Sequence, residues 1–129
     1  MKKPKAKVLL VEDDMFLANI YQKKFELEGF KLIWAADGEK ALRLARREGP
    51  QVVLLDILLP KIDGLVVLSR LKADAATTAI PIIMLSNLGQ KDEVDKALKL
   101  GAVDYLVKAH FKPSEVVAKV EKVLGDHQG

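Results

Sequence analysis

The chain has no cysteine, which removes both a disulfide framework and thiol chemistry and fits a reducing compartment, with the cytoplasm as the expected location. Aromatic residues are scarce at 5%, and Trp34, Phe30 and Phe25 read as packing residues. The only histidines, His110 and His127, have no partner at ligand spacing and read as surface or loop positions. No apolar run approaches the roughly 20 residues that a membrane helix needs, so no membrane contact is expected. A basic start, Met1-Lys2-Lys3-Pro4-Lys5, is followed by an apolar stretch of only Val8 to Val11 before Glu12 stops it, which is too short for a secretory signal. A net charge of +3 is spread among 18 acids without an aromatic or recognition-helix pattern, so no direct nucleic-acid contact is expected and the lysines at 2, 3, 5 and 7 read as a solvated tail.

What remains is a chain of 129 residues, half of them hydrophobic, which suits one domain with an ordered core over about residues 6–125. Short apolar runs alternate with amphipathic segments of ten to fifteen residues, the βαβ pattern of a parallel sheet covered on both faces. Strands are expected at about 7–12, 31–35, 51–56, 80–86 and 103–107. Helix one, over about 14–28, places Leu17, Ile20, Tyr21 and Phe25 on one stripe, starts at Asp14 and stops at Gly29. Helix two starts at Asp37 with Ala41, Leu42 and Ala45 inward and ends before Gly49-Pro50. Helix three, about 64–73, turns Leu65, Leu68 and Leu71 inward, and helix four, about 90–100, does so with Val94, Ala97 and Leu98. Helix five begins after Pro113-Ser114, buries Val116, Val117, Val120 and Leu124, and leaves residues 125–129 frayed. Right-handed crossovers favour a doubly wound α/β sheet of five parallel strands in the order 2-1-3-4-5, whose ligand crevice lies at the strands' carboxyl ends between strands one and three.

Chemistry-bearing residues collect at those ends. The first strand runs into Glu12-Asp13-Asp14, the third into Asp56, the fourth into Ser86 and the fifth into Lys108. Alone, each has a plain explanation as a turn former, helix cap or solvated charge; their joint arrival at strand ends in this order points to one site. Carboxylates about 4 to 6 Å apart repel by about 3 to 4 kcal/mol per pair at an effective dielectric near 20. A divalent cation relieves that repulsion, and an all-oxygen site suits Mg²⁺. Asp13 and Asp56 are expected as direct ligands, Glu12 through water, and the backbone carbonyl of Leu58 as a further oxygen. A carboxylate beside such a cation can accept a phosphoryl group, with Lys108 and the Ser86 hydroxyl meeting its oxygens.

Along essentially its whole length the sequence resembles the receiver domain of bacterial two-component response regulators, which has a flavodoxin-like fold. The resemblance is carried by Val8-Leu9-Leu10-Val11-Glu12-Asp13-Asp14, by Val53 to Gly64 around Asp56, by Pro81-Ile82-Ile83-Met84-Leu85-Ser86 and by Gly101 to Lys108. It implies that Asp56 takes a phosphoryl group from a sensor histidine kinase, a phosphotransfer protein or acetyl phosphate, and that Ser86 and Lys108 bind that group. It further implies that Tyr105 is an aromatic switch and that the surface of helix four, strand five and helix five signals to a downstream partner or attached output domain, with phosphorylation-dependent dimerisation as a further outcome. Such a protein catalyses only its own phosphorylation and dephosphorylation.

The sequence departs from the family in having Ala109 where proline usually follows the lysine, so a trans bond and an altered loop over 109–113 are expected. Asn87 is bulkier than the small residue common there and narrows access to Asp56. Leu58 and Leu88, where the family tunes dephosphorylation, cannot orient a water, which implies slow decay. Other readings fit less well. A flavodoxin-like electron carrier needs a phosphate loop where this chain has Glu12-Asp13-Asp14, and a haloacid-dehalogenase-type phosphatase needs a second Asp where Leu58 stands. A receiver-like interaction module that is never phosphorylated is the alternative that needs no Mg²⁺ site.

Overall fold

The structure is a computed structural model describing residues 3–128, with side chains described through Asp126. Met1, Lys2 and the side chain of His127 therefore lie outside the described residues. Five strands, β1 (Lys7–Val11), β2 (Lys31–Ala35), β3 (Val52–Leu55), β4 (Ile82–Ser86) and β5 (Asp104–Val107), form one parallel sheet in the expected order β2-β1-β3-β4-β5. The helices α1 (Met15–Leu27), α2 (Gly38–Glu48), α3 (Gly64–Ala73), α4 (Lys91–Lys99) and α5 (Pro113–Gln128) alternate with them.

Because side chains alternate along a strand, the sheet feeds two cores. Val8, Leu10, Leu54, Ile83 and Leu106 pack with α1 and α5 through Tyr21, Phe25, Val116 and Val120. Leu9, Val11, Val53, Leu55 and Met84 pack on the other face with α2, α3 and α4 through Ala41, Ala45, Leu68, Leu71 and Ala97. The central strands are buried on both sides, which is why they read as continuous apolar runs rather than alternating ones.

Several expectations need correction. Ile20 and Leu98 were placed on inward stripes but are exposed; in α1 the small Ala18 takes the inward place beside Tyr21 and Phe25. In α4 only Ala97 is fully covered, and the charged residues around it other than the half-buried Glu93 reach solvent. Val67 joins Leu68 and Leu71 in the core instead of Leu65, which is only half-buried. The last helix starts at Pro113 itself, since the first helical position needs no N–H, and it continues past Gly125 to Gln128. Lys5 and Lys7 are not a free tail: Lys5 pairs with Glu121 at 3.4 Å and lies over the Phe30 ring, and Lys7 is the first residue of β1, its ammonium donating to the Glu48 carbonyl at 2.9 Å.

Three helix starts are fixed by acids, as expected at Asp14 and Asp37. Asp14 accepts the Phe16 and Leu17 amides, and Asp63 caps α3 through Leu65 N–H. Asp37 accepts the Lys40 amide at 2.9 Å, and this bond, aided by Lys61 nearby, holds its carboxyl below the usual range despite burial. A carboxyl whose folded pKa is depressed adds stability that is present above its unfolded pKa near 3.8 and is lost as pH falls through the folded value. Asp37→Asn is therefore expected to flatten the acid limb of the stability profile, with a larger penalty at neutral pH than at pH about 3. Equal penalties in denaturant titrations at the two pH values would contradict this. At the other end of α2, Gly49 sits at φ 55°, a left-handed cap that suits glycine.

Candidate functional site

Register brings the chemical groups together. Val11 pairs with Leu55, Leu55 with Met84, and Met84 with Tyr105, so the residues leaving β1, β3, β4 and β5 emerge at one edge. The Asp56 amide donates to the Val11 carbonyl at 3.2 Å, placing the first acid beyond β3 directly beside the acids beyond β1. Carboxylate oxygens of Glu12, Asp13 and Asp56 lie within 4.8 Å of one another. Glu12 and Asp56 are buried, whereas Asp13 is exposed.

Lys108 closes this cluster. Its ammonium donates to Asp56 Oδ2 at 2.6 Å and also to Glu12 Oε1, with a side chain only 9% exposed. It is thus a buried bridge between two carboxylates rather than a mobile surface charge. Burial alone would push the Lys108 ammonium down, but hydrogen bonds to Asp56 and Glu12 outweigh this and hold its pKa above the ordinary value. Burial pushes the Glu12 carboxyl up, opposed by Lys108 and by the Asp14 amide, which donates to Glu12 Oε2 at 3.0 Å. Three acids face one lysine, so the pocket keeps an excess of negative charge. The donor set is all hard carboxylate oxygen, which fits Mg²⁺ and not a soft metal.

The remaining expected residues surround this cluster. Leu58 is exposed, and its amide donates to Asp56 Oδ1 at 3.2 Å, fixing the oxygen that Lys108 does not hold. Ser86 is fully buried at the end of β4, its hydroxyl accepting the Leu88 amide at 3.3 Å. Asn87, next to it, is exposed. The Tyr105 hydroxyl donates to the Leu88 carbonyl; burial raises its pKa, and a hydrogen bond with Ser86 pulls it partly back. Among the described residues there is no cis peptide, and the chain turns through a short 3₁₀ segment, Lys108–His110, before Phe111 packs against the α1/α5 core. His110 is exposed, in line with its expected surface position.

Two residues entered the site unannounced. The Trp34 indole N–H donates to the Glu12 backbone carbonyl at 2.7 Å, pinning the acidic turn to β2. Tyr21, on the buried face of α1, has its phenol pKa raised first by burial, and it senses the charges of Lys108, Glu12 and Asp56. The acids had a signal in their positions at strand ends. These two aromatics had none, because their role depends on which neighbours the sheet order supplies.

Residues 8–121 match the family described as the response regulator receiver domain. Among curated proteins the chain is 41% identical over 120 residues to the probable transcriptional regulator ycf27 of Guillardia theta, covering 93% of this chain and 46% of that protein. The chain spans about half the length of the curated relatives it matches. Among solved structures it superposes on the receiver domain of a Francisella response regulator with a TM-score of 0.87 and 31% identity, covering 95% of this chain and 98% of that one. It also superposes on the receiver domain of a Pseudomonas aeruginosa sensor histidine kinase with magnesium coordinated in its active-site cleft, at a TM-score of 0.85 and 28% identity, covering 93% and 98%. No helix among the described residues is long and apolar enough to cross a membrane.

Proposed function

Since the chain belongs to the response regulator receiver family of two-component signalling, we propose that Asp56 is its phosphoacceptor and that phosphorylation needs Mg²⁺ held by Glu12, Asp13, Asp56 and the Leu58 carbonyl. The observation that carries the proposal is the Asp56 carboxylate at the mouth of β3, with Lys108 at 2.6 Å on one oxygen and two further acids within 4.8 Å. Bound Mg²⁺ supplies positive charge to carboxylate and phosphoryl oxygens.

The chain's own residues do the rest. One Asp56 oxygen bonds to phosphorus while the donor's P–N or P–O bond breaks and its electron pair leaves with the imidazole or acetate. The Leu58 amide and Lys108 orient the carboxylate for this attack. Lys108, already within reach of Asp56, follows the new negative charge onto the phosphoryl oxygens. The Ser86 hydroxyl shifts from the Leu88 amide toward the same group, and Tyr105, tied to the Leu88 carbonyl, moves with that loop. The altered surface is that of α4, β5 and α5, presented to a downstream partner, an attached output domain or a second copy. The donors are a sensor histidine kinase or a phosphotransfer protein. The half-length match to a transcriptional regulator supports a role as the regulatory part of a larger system.

Intact mass of the protein after incubation with acetyl phosphate is expected to rise by one phosphoryl group with Mg²⁺ and not with EDTA. No gain together with no Mg²⁺ binding would replace this reading with an interaction module. Neither Leu58 nor Leu88 offers a polar side chain to position water, so the phosphorylated form is expected to persist for minutes or longer in Mg²⁺, and Leu58→Asn is expected to shorten its lifetime. Loss of the label within seconds would sink the slow-decay reading while leaving the acceptor assignment in place.

A further inference from the structure

The basic residues of the chain are unevenly divided: seventeen are lysines and only four are arginines, Arg43, Arg46, Arg47 and Arg70. All four arginines line a single groove of about 950 Å³ between α2 and α3. Arg43, Arg46 and Arg47 share one face of α2 by helical spacing, and α3 brings Arg70 against them. The groove lies toward the carboxyl ends of these helices, at the sheet edge opposite the acidic pocket, so it is no part of the phosphorylation site.

The groove is organised beyond mere charge. Arg46 Nε is held by Asp74 Oδ2 at 2.6 Å, and Asp74 in turn accepts the Ala76 amide at 2.9 Å, which leaves the outer guanidinium nitrogens of Arg46 oriented and free to donate. Arg43 and Arg70 have no ion-pair partner among the described residues. Asp74 pairs with Arg46, and Glu48 just outside the lining pairs with Arg47 at 3.1 Å, so the excess positive charge of the groove rests on Arg43 and Arg70. Half-buried Leu42 and the exposed Ala73 and Ala75 supply apolar surface over the buried Leu71, and Thr77 offers nothing further because its buried hydroxyl donates to the Leu71 carbonyl at 2.7 Å.

We propose that this groove binds a nucleotide carrying two or more phosphates. Guanidinium forks match phosphate oxygens in pairs, where a lysine offers a point charge. The apolar surface of Leu42, Ala73 and Ala75 suits a flat base, on which a guanidinium also stacks, and the volume is that of a small-molecule site. An acidic peptide would meet the charge but leave the apolar surface without a matching group.

The test uses the full chain with ADP, GDP, inorganic pyrophosphate and hexaglutamate as probes, in EDTA so that the acidic pocket holds no metal. Amide NMR shifts locate binding and calorimetry measures it. Either nucleotide is expected to shift residues 42–47 and 70–77 and to bind at least about tenfold more tightly than pyrophosphate, with Arg43→Gln/Arg70→Gln weakening it by at least about tenfold through loss of two charge-assisted contacts. Phosphorylation of Asp56 by acetyl phosphate should be unchanged in that variant. The proposal is overturned if millimolar nucleotide leaves those amides unmoved, if pyrophosphate binds equally well, or if the double variant binds as before. Binding of hexaglutamate without nucleotide also overturns it and assigns the groove to an acidic protein partner.

Discussion

Asp56→Asn is expected to abolish phosphoryl gain from acetyl phosphate altogether, leaving the intact mass unchanged while the protein stays folded. The amide has no anionic oxygen with which to attack phosphorus, so the loss is of the reaction itself and not of a fraction of its rate. The fold should tolerate the change for an electrostatic reason. In the parent chain Lys108 is shared between Glu12 and Asp56, and the replacement leaves a one-to-one pair of Lys108 with Glu12 while keeping shape and an acceptor oxygen for the ammonium. The thermal midpoint should therefore fall by no more than a few degrees, and removing one of three crowded acids can raise it. A variant that still gains one phosphoryl group would move the acceptor to another side chain, with Asp13 the first to examine because it is exposed and shares the cluster.

The second large effect concerns a residue with no side chain. A Cβ placed on Gly64 would stand 2.0 Å from the Asp56 carbonyl oxygen and 2.6 Å from Ile57 Cα. Both are backbone atoms of the segment that leaves β3, so no rotamer change relieves the clash; α3 or the Asp56 loop must move. Overpacking a close contact costs about 1 to 3 kcal/mol and more where backbone must shift. For a chain of this size Gly64→Ala should lower the thermal midpoint by about 10 °C, with phosphorylation slowed because Asp56 is displaced. Gly125→Ala is the matched control: it lies within α5 with nothing within 4 Å of its added Cβ, so its midpoint should be unchanged or higher. Comparable melting of Gly64→Ala and the parent protein would show that the loop absorbs the methyl group.

The sheet order and the gathering of acids were legible because a doubly covered parallel strand is a continuous apolar run, and such runs end where the crevice opens. Glu12, Asp56, Ser86 and Lys108 each follow such a run or close it, and register then brings them to one edge. What stayed hidden depends on pairs distant in sequence and close in space. The burial of Lys108 arises from two carboxylates that hold it, and nothing in its local sequence marks it as covered. Ile20 is exposed because Ala18, Tyr21 and Phe25 take the inward stripe of α1, and Leu98 because α4 buries only Ala97, choices that helical spacing alone does not encode. The arginines looked dispersed among acids; three were adjacent on a helix face, but Arg70 joins them only through the packing of α2 on α3.

Trp34 is the chain's one tryptophan, and its indole is fastened to the peptide carbonyl of Glu12. The protein therefore carries a built-in optical reporter one hydrogen bond from its acidic turn. Any cation that draws the Glu12 or Asp13 carboxylate inward tilts that peptide and alters the field on the indole, so emission should follow occupancy without a label. Ion entry and phosphoryl arrival, the two steps proposed for this pocket, should then be separable in one cuvette by the order of addition.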